Sequence, residues 1–126
     1  MQIPADLRYS NDHEWVRVTG TTARVGITDY AQDALGDVVY VDPPAAGSKV
    51  TAGQRFGEVE STKSVSDLFA PVSGTVLRVN DAVAGGPDVL NRDPYGDGWL
   101  CEIEMSSPGE VDNLLDADAY RRLIEG

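Results

Sequence analysis

Between Asp37 and Leu77 the chain is cut into short β-favouring runs by Pro43-Pro44, Gly47, Gly53, Gly57, Pro71 and Gly74, while helix-favouring residues thin out. Strands of this length at this spacing predict a β-sandwich or barrel for the middle of the molecule. The flanks fit that plan. Glu14 to Thr19 (EWVRVT) and Thr22 to Ile27 (TARVGI) alternate Val16, Val18 and then Ala23, Val25, Ile27 around Gly20, which predicts an N-terminal hairpin. Thr28, the apolar positions Ala31, Ala34 and Leu35, and Gly36 read as N-cap, amphipathic helix and C′ glycine. Trp99, Leu100, Ile103 and Met105 fit a late strand entering the core. Ser107-Pro108-Gly109-Glu110 reads as a capping box, with Leu114, Leu115, Tyr120, Leu123 and Ile124 following at helical spacing. One or two C-terminal helices are expected, interrupted near Asp116 to Asp118.

With 126 residues the chain suits one domain, 1–126. Its 10 basic residues stand against 21 acidic ones, a formal net charge of −11. Such a surface repels nucleic acid and favours a protein partner with a basic docking face. The longest unbroken apolar runs, such as Val38 to Val41, fall far short of the roughly 20 residues of a spanning helix, so no membrane segment is expected. Pro4, Asp6 and Arg8 occupy the stretch where a signal peptide would be apolar, which points to a cytoplasmic protein, or to the mitochondrial matrix after removal of a presequence. Cys101 and His13 are single, so an internal disulfide and the usual zinc sets are excluded.

An internal echo locates a chain reversal. Gly36-Asp37-Val38-Val39-Tyr40-Val41-Asp42 and Gly74-Thr75-Val76-Leu77-Arg78-Val79-Asn80 carry Gly, Val, Val and Asp/Asn at equal offsets. Two equivalent β-halves require a bend between them, and Ser61 to Ser64 lies between two plausible strands. No Gly or Pro occurs from Glu58 to Ala70, so local turn chemistry alone does not mark it. At this bend stands Lys63, one of only two lysines, among the small hydroxyl residues Ser61, Thr62 and Ser64. The other, Lys49, follows Gly47-Ser48 and reads as a solvated turn residue. A lysine at a hairpin tip is commonly only a charged tip; displayed free of bulk, it also suits covalent acylation. Glu58 and Glu60 fall on one strand face and read as solvated acids that a modifying enzyme or partner reads.

Residues 57–76, GEVESTKSVSDLFAPVSGTV, resemble a lipoyl-lysine hairpin. GITDYAQDALGDVVYVDPP (26–44), PYGDGWLCEIE (94–104) and YSNDHEWV (9–16) resemble blocks of the glycine cleavage H-protein family, so the likeness spans nearly the whole chain. A generic lipoyl or biotinyl domain would share the lysine segment and the PVSGTV block, but not the HEWV start or the ITDYAQDALGD helix. A biotinyl domain would also carry Met beside the lysine, where Thr62 and Ser64 stand here.

The resemblance implies an all-β fold with small helices, a lipoyl/biotinyl-like barrel-sandwich hybrid of two interlocked sheets with an N-terminal hairpin, a short helix and C-terminal helices. It implies a monomeric, non-catalytic carrier with lipoate in amide linkage on Lys63. The carrier's implied partners are a pyridoxal-phosphate glycine decarboxylase that loads an aminomethyl group, a tetrahydrofolate-dependent aminomethyltransferase that removes it, a dihydrolipoyl dehydrogenase that reoxidises the dithiol, and a lipoate-attaching enzyme. A sulfur-bound aminomethyl group is prone to hydrolysis, and a cleft that pairs its ammonium with carboxylate would protect it. The resemblance nominates Glu14 and Asp67 for that cleft. Asp12 is a third candidate and a departure, because a hydroxyl residue is expected there. His13 reads as a packing or hydrogen-bonding residue beside Trp15. The same fold serving 2-oxoacid dehydrogenases, and an unmodified acidic adaptor, are the competing expectations; a hydrolase ranks last for want of a nucleophile and base.

Overall fold

The computed structural model describes Met1 to Gly126. The order is β1 (Arg8–Tyr9), β2 (Glu14–Thr19), β3 (Thr22–Ile27), α1 (Asp29–Leu35), β4 (Val38–Asp42), β5 (Lys49–Val50), β6 (Arg55–Ser61), β7 (Val65–Phe69), β8 (Gly74–Val79), α2 (Asp81–Gly85), α3 (Val89–Arg92), β9 (Cys101–Met105), a 3₁₀ turn (Pro108–Asn113) and α4 (Ala117–Glu125). Two antiparallel sheets form, one of six strands in the order β1-β2-β3-β9-β8-β5 and one of three in the order β4-β6-β7. Neither closes into a barrel, and the expected β fold with small helices is the one observed.

Alternation explains the large sheet. Val16, Val25, Cys101 and Val76 turn inward with Ala23, Ile103 and Met105 to form one apolar cluster, whereas Arg17, Arg24, Glu102 and Arg78 align across β2, β3, β9 and β8 on the other face. Glu102 bridges that row, accepting from Arg24 at 3.0 Å and also from Arg78. A second cluster, including Ile27, Leu35, Val38, Val59, Leu68 and Leu90, fills the space between the small sheet and α1 to α3. Tyr9, Trp15, Tyr95 and Tyr120 build a third under α4.

The two halves of the internal echo are both strands, β4 in the small sheet and β8 in the large one. Thr28 caps α1 by accepting from the Ala31 amide at 3.1 Å, as its position predicts. The C-terminal capping box does not form. Ser107 makes no side-chain cap and Pro108–Asn113 is a 3₁₀ turn, because the Glu110 carboxylate instead accepts from the amide (2.7 Å) and hydroxyl (3.0 Å) of Ser73. The expected break at Asp116 is real, since that residue caps α4 through the Ala119 amide. Lys49 is exposed in an edge strand rather than a turn. Trp99 lies before β9, beneath the Arg24 guanidinium at 4.4 Å. Helices α2 and α3, of five and four residues, are too short to produce a legible period.

The close approach of β2 to β3 depends on Gly26. It pairs with Trp15, whose fully buried indole crosses it and donates to the Pro94 carbonyl at 2.9 Å. A Cβ at position 26 would meet indole atoms at 2.5 and 2.6 Å. Gly26→Ala is therefore expected to lower unfolding free energy by about 1–3 kcal/mol in urea titration, while Gly109→Ala, where a Cβ meets nothing within 4 Å, leaves it nearly unchanged.

Candidate functional site

The β6–β7 hairpin reverses through Thr62 and Lys63. Ser61 N–H donates to the Ser64 carbonyl at 2.8 Å, and the Ser61 hydroxyl oxygen accepts from the amides of Lys63 (3.3 Å) and Ser64 (3.1 Å). The Thr62 amide donates to the Asp37 carbonyl at 3.0 Å and ties the bend to the start of β4. Neither bend residue has positive φ, so this is not the primed turn that Asn-Gly or Gly-X would announce. A serine side chain replaces the glycine signal.

Lys63 is exposed, and its ammonium takes part in none of the five ion pairs. Its stem passes the end of α1: a Cβ built on Gly36, which has φ of 81°, would stand 3.4 Å from Lys63 Cε. The residue that ends the helix thus also leaves room for the lysine. The same helix lines the neighbouring cleft, which has a volume of about 210 Å³ and takes its walls from α1 (Tyr30, Ala31, Leu35), from Ser64 of the bend and from β7 (Ser66, Leu68). That volume lies below the roughly 300–1,000 Å³ of ordinary ligand pockets and suits the end of a chain bearing a small polar group.

Asp12, Glu14 and Asp67 all border this cleft, as does His13. Their environments differ. Glu14 is 1% exposed; its Oε1 accepts from the Ser10 hydroxyl at 2.6 Å and its Oε2 from the Phe69 amide at 3.4 Å. Burial pushes its carboxyl up to about 8, against the opposing pull of the Ser10 and Phe69 donors and with a small further rise from Asp12. Asp12 is exposed at the rim, its amide held by the Ser10 oxygen at 3.2 Å. Asp67 is also exposed; its carboxylate accepts from Arg55 Nε at 2.9 Å, and it lies opposite Glu58 on β6, on the alternate face from Ser66 and Leu68. Any role for Asp67 in the cleft competes with Arg55.

Ser10 was not singled out by sequence reasoning. Its hydroxyl accepts from the amides of Asp12 and Glu14 while donating to the Glu14 carboxyl. His13, the one non-glycine residue with positive φ (69°), is the packing and hydrogen-bonding residue expected: it packs on Tyr30 and contacts the Tyr120 hydroxyl through Nδ1 at 2.8 Å. That hydroxyl also reaches Thr28 Oγ1 at 2.7 Å, linking the cleft to α4 and the cap of α1. Cys101 is buried and its thiol is pushed up to about 12 by that burial, which leaves it inert. No helix is long and apolar enough to cross a membrane.

Two antiparallel sheets with small helices, presenting an exposed lysine outside every ion pair on a bend beside a half-apolar cleft, define a β-sheet scaffold that displays one amine. The family model described as glycine cleavage H-protein matches residues 7–126. The chain is 54% identical over 123 residues to the glycine cleavage system H protein of Myxococcus xanthus, covering 98% of this chain and 95% of that one. It is 58% identical over 124 residues to that of Mycobacterium avium, covering 94% of each. The crystal structure of a glycine cleavage system H protein from Mycobacterium marinum superposes with a TM-score of 0.91 at 45% identity, covering 98% of this chain and 100% of that one. The chain belongs to the glycine cleavage H-protein family, a family of carrier subunits.

The raised Glu14 carboxyl has a thermodynamic consequence. The folded protein holds its proton up to about pH 8, whereas the unfolded chain releases it near its ordinary value of 4.5. Over that window the native state binds more protons, so this residue's contribution to stability falls as pH rises. Glu14→Gln, which mimics the protonated acid, is expected to gain on the wild type between pH 5 and pH 8 by on the order of 2 to 4 kcal/mol, read from denaturation curves at each pH.

Proposed function

We propose that this protein is the lipoyl-lysine carrier of glycine cleavage, with Lys63 as the attachment site and the cleft over Glu14 as the shelter for its cargo. The observation that carries the proposal is the exposed, unpaired Lys63 on a stiffened bend, its stem against the helix that lines a cleft floored by a buried carboxyl. Lipoate bound through an amide to Lys63 supplies a dithiolane able to carry an aminomethyl group on sulfur between active sites. The partners are a glycine decarboxylase that loads the group, an aminomethyltransferase that takes it and a dihydrolipoyl dehydrogenase that restores the disulfide. The lipoate-attaching enzyme acts first. Each visit needs only the arm and a docking face, which suits a monomeric, cytoplasmic protein that does no chemistry of its own.

The chain's residues bind and protect. Ile27, Ala31, Leu35, Val59 and Leu68 offer apolar wall to the arm and keep water from its end. Glu14 is held neutral by burial at neutral pH. An ammonium brought against it favours the ionised carboxylate and lowers its titration, so docking of a cationic cargo releases a proton. Ser10 and the Phe69 amide then hold the carboxylate oxygens in place. Asp12 adds negative potential at the rim, and Asp67 joins it when Arg55 lets go.

Lys63→Arg keeps the positive charge and the exposed bend but has no acylable amine. It is expected to fold with an unchanged circular dichroism spectrum and to abolish glycine-dependent carbon dioxide release in a system reconstituted with the three enzymes; full turnover by this variant refutes the proposal. Glu14→Gln is expected to shed its loaded aminomethyl group about tenfold faster than wild type at pH 7, followed by formaldehyde release.

A further inference from the structure

The outer face of the small sheet carries an apolar strip that the fold does not need. Val39, Tyr40 and Val65 are 52%, 52% and 59% exposed, the first two side by side on β4. Two adjacent strand residues face solvent because the register of β4 on β6 slips between Val38 and Tyr40, and such a bulge re-aims side chains that regular alternation would turn inward. Tyr40 pairs with Glu60, and Glu60 with Val65. The row immediately behind the Lys63 bend is therefore Tyr40, Glu60, Val65. The row behind that is Asp42, Glu58, Asp67, with Arg55 as the cation bonded to both Glu58 and Asp67. An apolar strip divided by one carboxylate and backed by an acidic row fits an apolar depression with a basic rim on a partner.

We infer that this strip is the docking surface for the enzyme that acylates Lys63, and that the β4 bulge exists to present it. The inference rests on Lys63 being the lipoylation site. What selects this partner over the others is reach. Before modification the lysine has only its four-carbon stem, so the acylating enzyme must bring its own surface onto the bend, where the Tyr40–Val65 row lies. Enzymes that act later engage the far end of a much longer arm and have no such need to cover the row. In the step served, the free amine of Lys63 attacks the carbonyl of a lipoyl-adenylate. The C–N bond forms as the carbonyl C–O bond to phosphate breaks, its electron pair leaves with AMP, and the amine's proton passes to solvent.

The test is the steady-state kinetics of Lys63 lipoylation on the full-length, unmodified protein, using a purified lipoate-attaching enzyme and lipoyl-adenylate, with product read by intact mass. Val65→Thr and Tyr40→Thr keep strand-favouring residues. Each is expected to lower kcat/KM about tenfold through KM, with kcat retained, because the lost contact is present equally in ground and transition states. Tyr40→Phe retains the ring and is expected to behave as wild type. Leu77→Thr, equally exposed at 50% on the other sheet, is the control and is expected to change nothing. Unchanged kcat/KM in both Val65→Thr and Tyr40→Thr overturns the docking surface while leaving the carrier role standing. So does normal lipoylation of those variants with slowed loading by glycine decarboxylase, which assigns the strip to a later partner. An equal fall in Leu77→Thr also overturns it. If wild-type Lys63 accepts no lipoyl group, the carrier proposal itself fails and this inference falls with it.

Discussion

One buried carboxyl joins the two sheets at the site. Glu14 opens β2 of the six-stranded sheet, yet one of its oxygens accepts from the amide of Phe69 at the end of β7 in the three-stranded sheet. A carboxyl removed from water is costly in its ionised form, and two hydrogen bonds do not cancel the burial here, since the group remains pushed up to about 8. The protein therefore keeps a neutral acid under its cleft in the resting state. At neutral pH an approaching positive charge favours its ionised form, so a cationic group in the cleft meets a stronger partner than a neutral one. Ser10 makes the arrangement specific, because its hydroxyl gathers two backbone amides and points its own proton at Glu14.

The lysine is handled in the opposite way. Everything around Lys63 stiffens the backbone and leaves the side chain free: the Ser61 hydroxyl and the Asp37 carbonyl take the bend's amides, while Gly36 removes the bulk that would obstruct the stem. In the carrier we propose, a rigid bend with a free stem gives a modifying enzyme one reproducible target, and gives an arm attached there a fixed pivot from which to reach either the cleft or a partner. Cleft and pivot share α1, whose start is fixed by Thr28 and whose end is Gly36. The Tyr120 hydroxyl, between His13 and Thr28, ties that helix to the C-terminal one.

Elements whose signals are local could be read from the sequence. The β2–β3 hairpin and α1 follow from alternation and capping chemistry, and the internal echo located the reversal at Lys63 although the bend has no glycine. Glu14 drew notice only through family resemblance, because nothing in HEWV states that its second residue is buried. What stayed illegible is tertiary. The capping box at Ser107 failed because Ser73, far away in sequence, claims the Glu110 carboxylate. Ser10 is an ordinary serine until folding places Glu14 beside it. Asp67 was nominated without its Arg55 partner, a pairing that only the β6–β7 register reveals. The bulge at Val39 breaks the alternation on which any face assignment for β4 would rest.

The account stands on the amine of Lys63 becoming an amide. Tandem mass spectrometry of the peptide containing Lys63, from protein produced in cells competent for lipoylation, is the most direct measurement. The expected result is a lipoyl increment localised to Lys63 and absent from Lys49. A peptide that remains unmodified under those conditions, or a lipoyl group found on Lys49 instead, contradicts it.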